Sequence, residues 1–266
     1  MVSNNFSIGF FDSGVGGTSI WKEVITLLPK ESTIYLSDSK NAPYGEKSKE
    51  EIIALCKKNT EFLLNKNCKL IVVACNTATT NAITFLRDNY KVPFIGIEPA
   101  IKPAALITKT NTIGILATKG TLNSALFEKT SKTIRKDIQI QETIGKGLVE
   151  LIEGGQLNSE EMSVLLSSYL NPMIANNIDS LVLGCTHYPY LIPQIREIVG
   201  SKVKIIDSGQ AVAKQTKNIL TNHKLLNIDD SNPAKHQLYI NKDKTALKQL
   251  LYPIEAENIE IIEREF

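Results

Sequence analysis

Short apolar runs alternate with amphipathic stretches along most of this 266-residue chain. Runs rich in β-branched residues and bounded by turn formers predict ten strands: Ile8–Phe11, Thr33–Leu36, Leu70–Ala74, Pro93–Ile97, Thr112–Leu116, Ile138–Glu142, Ser180–Leu183, Lys202–Ile206, Gln237–Ile240 and Ile259–Ile262. Helical periodicity fits between them. Ile20, Val24, Leu27 and Leu28 share one face of a helix over Thr18–Leu28, with Pro29 as its stop. Asn81–Tyr90 presents Ile83, Phe85 and Leu86 in the same way, and Tyr188–Val199 presents Leu191, Ile195, Ile198 and Val199. Strands that alternate with helices predict an α/β fold with mostly parallel sheets.

The pattern also repeats. Ile8-Gly-Phe-Phe-Asp12-Ser-Gly is similar to Ile113-Gly-Ile-Leu-Ala-Thr118-Lys-Gly. Cys75 follows Asp12 by 63 positions and Cys185 follows Thr118 by 67, each closing an apolar run and opening a polar turn. The expected architecture is two similar parallel-sheet, flavodoxin-like lobes with pseudo-two-fold symmetry. The first would take residues 1–97 and 207–266, because a lone tail of about 60 residues makes a marginal core; the second would take residues 98–206. Ligands of open α/β sheets bind beyond the carboxyl ends of the strands. Asp12, Asp38, Cys75, Thr118, Cys185 and Asp207 fall at such ends, so they are expected around one cleft between the lobes.

Composition narrows the classes. Apolar residues make up 42% and charged residues 22%, as in ordinary globular proteins. The net charge of +2, from 30 basic and 28 acidic residues without a basic stripe, argues against a nucleic-acid partner. No apolar stretch approaches the roughly 20 residues that span a bilayer. The opening Met1-Val-Ser-Asn-Asn-Phe lacks the features of a secretory signal. The four cysteines have no C-x-x-C spacing, so free thiols in a reduced cytoplasm are expected. Cys56 and Cys68 read as packing residues.

A thiol at the junction of strand and helix meets unpaired N–H groups that favour thiolate. Free cysteines are also common buried hydrophobes, but recurrence at equivalent positions weighs against that reading for Cys75 and Cys185. Asn76-Thr77 and Thr186-His187 follow the two thiols and suit a carboxylate ligand, or plain N-capping. Asp12-Ser13-Gly14-Val15-Gly16-Gly17 allows close backbone approach to a ligand but is neither a P-loop nor G-x-G-x-x-G. Pro43-Tyr44-Gly45 could present N–H groups and a phenol. Cys185-x-His187 lacks the two further ligands of a zinc site, so no metal is expected. The C-x5-R phosphatase loop fails at both cysteines, where Asn81 and Leu191 stand six residues on.

Together, Asp12-Ser-Gly-Val-Gly-Gly, Ala42-Pro-Tyr-Gly, Ala74-Cys-Asn-Thr-Ala and Leu183-Gly-Cys-Thr-His-Tyr-Pro resemble the glutamate racemases, in the family's order and through nearly the whole chain. The resemblance implies a cofactor-independent isomerase that supplies D-glutamate for peptidoglycan in a bacterial cytoplasm, and a homodimer. It implies Cys75 and Cys185 as the two acid/base residues. It places Asp12, Ser13, Tyr44, Gly45, Asn76, Thr77, Thr186 and His187 around the substrate, and Thr118 is expected to join them from its strand-end position. The family's assisting glutamate matches Glu153 best, with Glu150 as the alternative. Thr18 stands where family members often carry leucine, and at a helix start this departure is expected to affect packing more than chemistry.

Racemisation takes the α-proton from one face and returns one to the other, so a planar carbanion needs a base on each side. An unperturbed thiol near pKa 8.5 is only a few per cent ionised at neutral pH. Helix N-termini and His187 favour the thiolate, whereas Asp12 and Glu153 would hold a thiol protonated or shuttle its proton. The expected pairing is Asp12 with Cys75, and His187 and Glu153 with Cys185. The alternatives are a racemase of aspartate or another acidic amino acid, a two-lobed amino-acid-binding protein, and a hydrolase using one thiol.

Overall fold

The computed structural model describes residues 4–229, 232–252, 254 and 258–266. All ten strands form: β1 (Ile8–Asp12), β2 (Thr33–Ser37), β3 (Leu70–Val73), β4 (Phe94–Gly96), β5 (Thr112–Ala117), β6 (Gln139–Ile144), β7 (Ser180–Gly184), β8 (Lys204–Ile206), β9 (His236–Ile240) and β10 (Ile259–Glu263). Every pairing is parallel. One sheet has the order β10-β9-β2-β1-β3-β4 and the other β6-β5-β7-β8. With β9 and β10 set aside, both sheets read second-first-third-fourth, the flavodoxin-like order. Asp12 ends β1 and Cys75 follows β3; Thr118 and Cys185 hold the corresponding places after β5 and β7.

The helices are α1 (Thr18–Leu27), α2 (Lys49–Asn65), α3 (Asn76–Asn89), α4 (Ile101–Ile107), α5 (Lys119–Leu122), α6 (Ala125–Ser131), α7 (Leu148–Glu153), α8 (Glu160–Ala175), α9 (Ile192–Val199), α10 (Gly209–Asn222) and α11 (Thr245–Leu251). Ser48 and Glu51 start α2 with a reciprocal capping box. Helix α3 begins five residues before the predicted Asn81. Its first turn is polar and β-branched, and the Cys75 sulfur caps it by accepting the Ala78 N–H at 3.4 Å. The predicted helix Tyr188–Val199 splits into a 3-10 turn, Tyr188–Leu191, and α9; prolines stand in the first turn of each.

Period-two alternation decides what the central strands bury. Ile8 and Phe10 of β1 and Leu70 and Val72 of β3 face a core shared with Trp21 of α1; this core continues to Leu166 and Leu170 of α8 and Ile195 of α9. Phe11, Ile71 and Val73 face the opposite layer, with Ile52 and Leu63 of α2 and Ala82 and Leu86 of α3. In the second sheet, Ile113, Ile115 and Val182 pack under Ile101 and Phe127. Helices therefore cover both faces, as parallel sheets require. The chain crosses between the sheets before α4 and again before α10, and Ser208 Oγ ties the two crossings by donating to the Glu98 carbonyl at 2.7 Å. Among the described residues, no helix is long and apolar enough to cross a membrane.

Candidate active site

Cys75 sits at the carboxyl end of β3 with its thiol 3.6 Å from Ser13 Oγ. Behind Ser13 lies Asp12, fully buried. Its Oδ1 accepts from the Ser13 amide at 2.7 Å and its Oδ2 from the Gly17 amide at 2.5 Å. Thr186 Oγ1 reaches the same Oδ2 from the second lobe at 3.4 Å. Burial raises the Asp12 carboxyl from 3.8 to about 6, an effect that His187 and the backbone donors only partly offset. Burial and the Asp12 charge push the Cys75 thiol well above its ordinary range, against the pull of the Ala78 N–H and Ser13.

Cys185 is handled differently. Its sulfur lies 3.7 Å from His187 Nδ1, and the other ring nitrogen, Nε2, lies 2.6 Å from Glu153 Oε1. The Gly16 amide also approaches Nε2, at 3.2 Å. A ring nitrogen cannot accept from one and donate to the other, so we assign its hydrogen to the shorter, charge-assisted bond with Glu153. Burial alone would depress the imidazole, but hydrogen bonds to Cys185 and Glu153 outweigh it and hold His187 well above its usual value. Glu153 is buried too, yet the bonds from His187, Ser39 and Val15 keep its carboxyl below the ordinary range. Val15 N–H donates to Oε1 at 2.6 Å and Ser39 Oγ to Oε2 at 2.7 Å, both from the first lobe. Glu150 is exposed on the same helix.

The glycines after β1 are explained by these contacts. A Cβ on Gly14 would lie 1.8 Å from Glu153 Oε1, and one on Gly16 would lie 2.2 Å from His187 Nδ1. The bare backbone admits the second lobe's carboxylate and imidazole. A similar close approach shuts the far side of the cleft. A Cβ on Gly120 would lie 2.8 Å from Thr77 Cγ2 and 3.1 Å from Gly45 Cα, and Thr77 Oγ1 is 2.8 Å from Thr118 Oγ1.

Cys75 and Cys185 line one narrow void, together with Ser13, Asn76, Thr77 and Thr118. Of the predicted set, Tyr44, Gly45, Thr186 and His187 also line it, with Pro43 and Val149 added. Asp12 and Glu153 stand behind this lining, not in it. The Tyr44 hydroxyl is engaged with Asp38, so its ring and the Gly45 backbone are what the turn offers to the void. Asn76 is 2% exposed, and neither its Oδ1 nor its Nδ2 has a hydrogen-bond partner. An unpaired buried carboxamide on a cavity wall is suited to a polar ligand. Ser39, Asn241, Ser19 and Tyr190 take part in holding the site and were missed from sequence, because they act through other side chains and form no motif. Among the described residues, no group of three or more His, Cys, Asp and Glu side chains is arranged to hold a metal ion.

The Asp/Glu/Hydantoin racemase family model matches residues 16–216. A glutamate racemase of Herpetosiphon aurantiacus is 45% identical over 220 residues, covering 83% of this chain and 87% of that protein. A glutamate racemase isoform from Bacillus anthracis superposes with a TM-score of 0.86 at 30% identity, covering 99% of this chain and 98% of the other. The Escherichia coli glutamate racemase, solved with L-glutamate and the activator UDP-MurNAc-Ala, gives a TM-score of 0.84 at 31% identity over 97% of both chains. The family match, superposition over nearly the whole of both chains and this level of identity lead to one conclusion: the chain belongs to the Asp/Glu/hydantoin racemase family, within its glutamate racemase group, and is an isomerase.

Proposed function

We propose that this chain interconverts L- and D-glutamate by two-base proton transfer between Cys75 and Cys185. The observation that carries the reading is that two thiols, on equivalent strand ends of two sheets, line one void whose wall also holds the unpaired Asn76 carboxamide. One sulfur removes the α-proton as thiolate while the other, as thiol, protonates the opposite face; the reverse direction exchanges the roles. Asp12, through Ser13, and the His187–Glu153 pair adjust the protonation of their respective sulfurs. Backbone N–H groups at the start of α3, with the Thr77 and Thr186 hydroxyls, would hold the substrate carboxylates. Removing water from the shut cleft strengthens each of these contacts.

The relatives and the glutamate-bound neighbour favour glutamate over aspartate as the substrate. Supply of D-glutamate for peptidoglycan in a bacterial cytoplasm follows from the family resemblance as part of the same proposal. The homodimer rests on the family resemblance alone. Incubation with L-glutamate in D2O, with no added cofactor, should give racemate carrying deuterium at Cα. Binding without exchange would convert the reading to an amino-acid-binding protein, and faster exchange on aspartate would change the substrate.

A further inference from the structure

The first turn of α1 belongs to the first lobe, yet it grips the turn of the second lobe that carries Cys185 and His187. Ser19 Oγ donates to the Thr186 carbonyl at 2.8 Å, between the two functional side chains. Thr18 Oγ1 donates to the Val15 carbonyl at 2.5 Å and lies 2.6 Å from Tyr190 OH. A hydroxyl has one hydrogen to give, so Tyr190 is the donor to Thr18. Lys22 Nζ stands 5.1 Å from the centre of the Tyr190 ring and is anchored on the Leu250 carbonyl at 2.6 Å. Thr18, Ser19 and Tyr190 are absent from the lining of the void. The Thr18 hydroxyl thus does more than pack a helix start: it ties the lobes together.

We propose that Ser19, Thr18 and Tyr190 are positioning residues that clamp the Cys185–His187 turn from the opposite lobe. The clamp serves one thiol only. The turn after Cys75 is tied across the lobes by a separate contact, Thr77 Oγ1 with Thr118 Oγ1 at 2.8 Å, and its sulfur bonds Ser13 and Ala78. The catalytic consequence rests on Cys185 being an acid/base, as proposed above; the positional consequence does not.

The test compares Ser19→Ala, Ser19→Thr, Thr18→Val and Tyr190→Phe in protein labelled with 13Cβ-cysteine and 15N-histidine, read by NMR alongside kcat and KM for glutamate. In Ser19→Ala the Cys185 and His187 resonances should move while Cys56, Cys68, Cys75, His223 and His236 stay. The kcat should fall about tenfold, the worth of one hydrogen bond, with KM within about threefold. Ser19→Thr retains the hydroxyl and should restore both readouts. Thr18→Val and Tyr190→Phe should move the same two resonances, and their combination should cost no more than either alone. Equal movement at Cys75, or no movement at Cys185 in any folded variant, overturns the clamp. Should Ser19→Ala fail to fold, Tyr190→Phe decides, because it keeps the ring. Native-like protein that shows the Cys185 shift but exchanges no Cα hydrogen would leave the clamp standing and remove the two-thiol mechanism.

Discussion

Cys75 and Cys185 occupy equivalent stations in two sheets of one strand order, but their neighbours have opposite character. Cys75 has a buried carboxyl group behind it, relayed through Ser13 Oγ. Cys185 has an imidazole at 3.7 Å, backed by a buried carboxylate. Strand topology sets each sulfur at the carboxyl end of its sheet, and contacts between the lobes bring both to one cavity. The unlike neighbours can give those sulfurs unlike protonation, which is what taking a proton on one face and delivering one on the other demands. The two lobes share a framework and differ in the groups that stand beside each sulfur.

Breaking that comparison outright calls for replacing the sulfurs. Cys75→Ser and Cys185→Ser should each lower kcat/KM by about 10³-fold, judged from the usual range for acid–base groups and followed by circular dichroism of glutamate. The same change at Cys68, whose buried thiol is pushed up to about 12, should leave turnover near native. A full loss at only one of the paired thiols would leave a single-nucleophile enzyme.

A smaller effect should follow from pushing on the Cys185 side alone. In Gly16→Ala the new methyl would overlap the His187 ring, so the imidazole or the lobe must shift. A displacement of about 1 Å at a reacting group costs on the order of 10²-fold in rate. Gly200→Ala is the companion measurement. Its φ of +70° strains any side chain but nothing lies within 4 Å, so only about 1 kcal/mol of stability should be lost and activity should persist. Native turnover in Gly16→Ala would mean that His187 has no fixed role.

The gentlest probe concerns Asp12 and pH. Its carboxyl is raised from 3.8 to about 6 by burial, so folding favours the protonated form. That contribution is fully present below the unfolded value and is lost as pH rises through about 6, a change of about 3 kcal/mol. Asp12→Asn does not titrate, so its stability relative to the native chain should improve by about that amount between about pH 4 and pH 7 in urea unfolding. A constant difference across that range would show that Asp12 ionises in the fold as it does in water.

Much of this molecule was readable from its residues because parallel strands buried on both faces leave near-continuous apolar runs, as at Leu70-Ile-Val-Val and Leu181-Val-Leu. The strand-end cysteines were readable because strand-to-helix turns repeat their chemistry. What lies across the cleft was less so. The glycines after Asp12 announce a close approach but not its partner, which is Glu153 and His187 in place of a ligand. Tyr44 offers a phenol on paper, yet Asp38 takes it up. Asn241, in a tail without motifs, holds Asp38 Oδ1 at 2.6 Å and accepts the Lys40 N–H at 2.9 Å. Such contacts join segments about 200 positions apart, and no local pattern encodes them.

The shut lip where Gly45 meets Gly120 has a kinetic meaning. A molecule the size of an amino acid cannot slip between backbones this close, so under the proposed reaction entry at this point would require a parting and a re-seating of that seam. Under that reaction, proton exchange inside and traffic with the bulk liquid would then be separated in time. Thickening the medium with a viscogen would slow the traffic while sparing the chemistry.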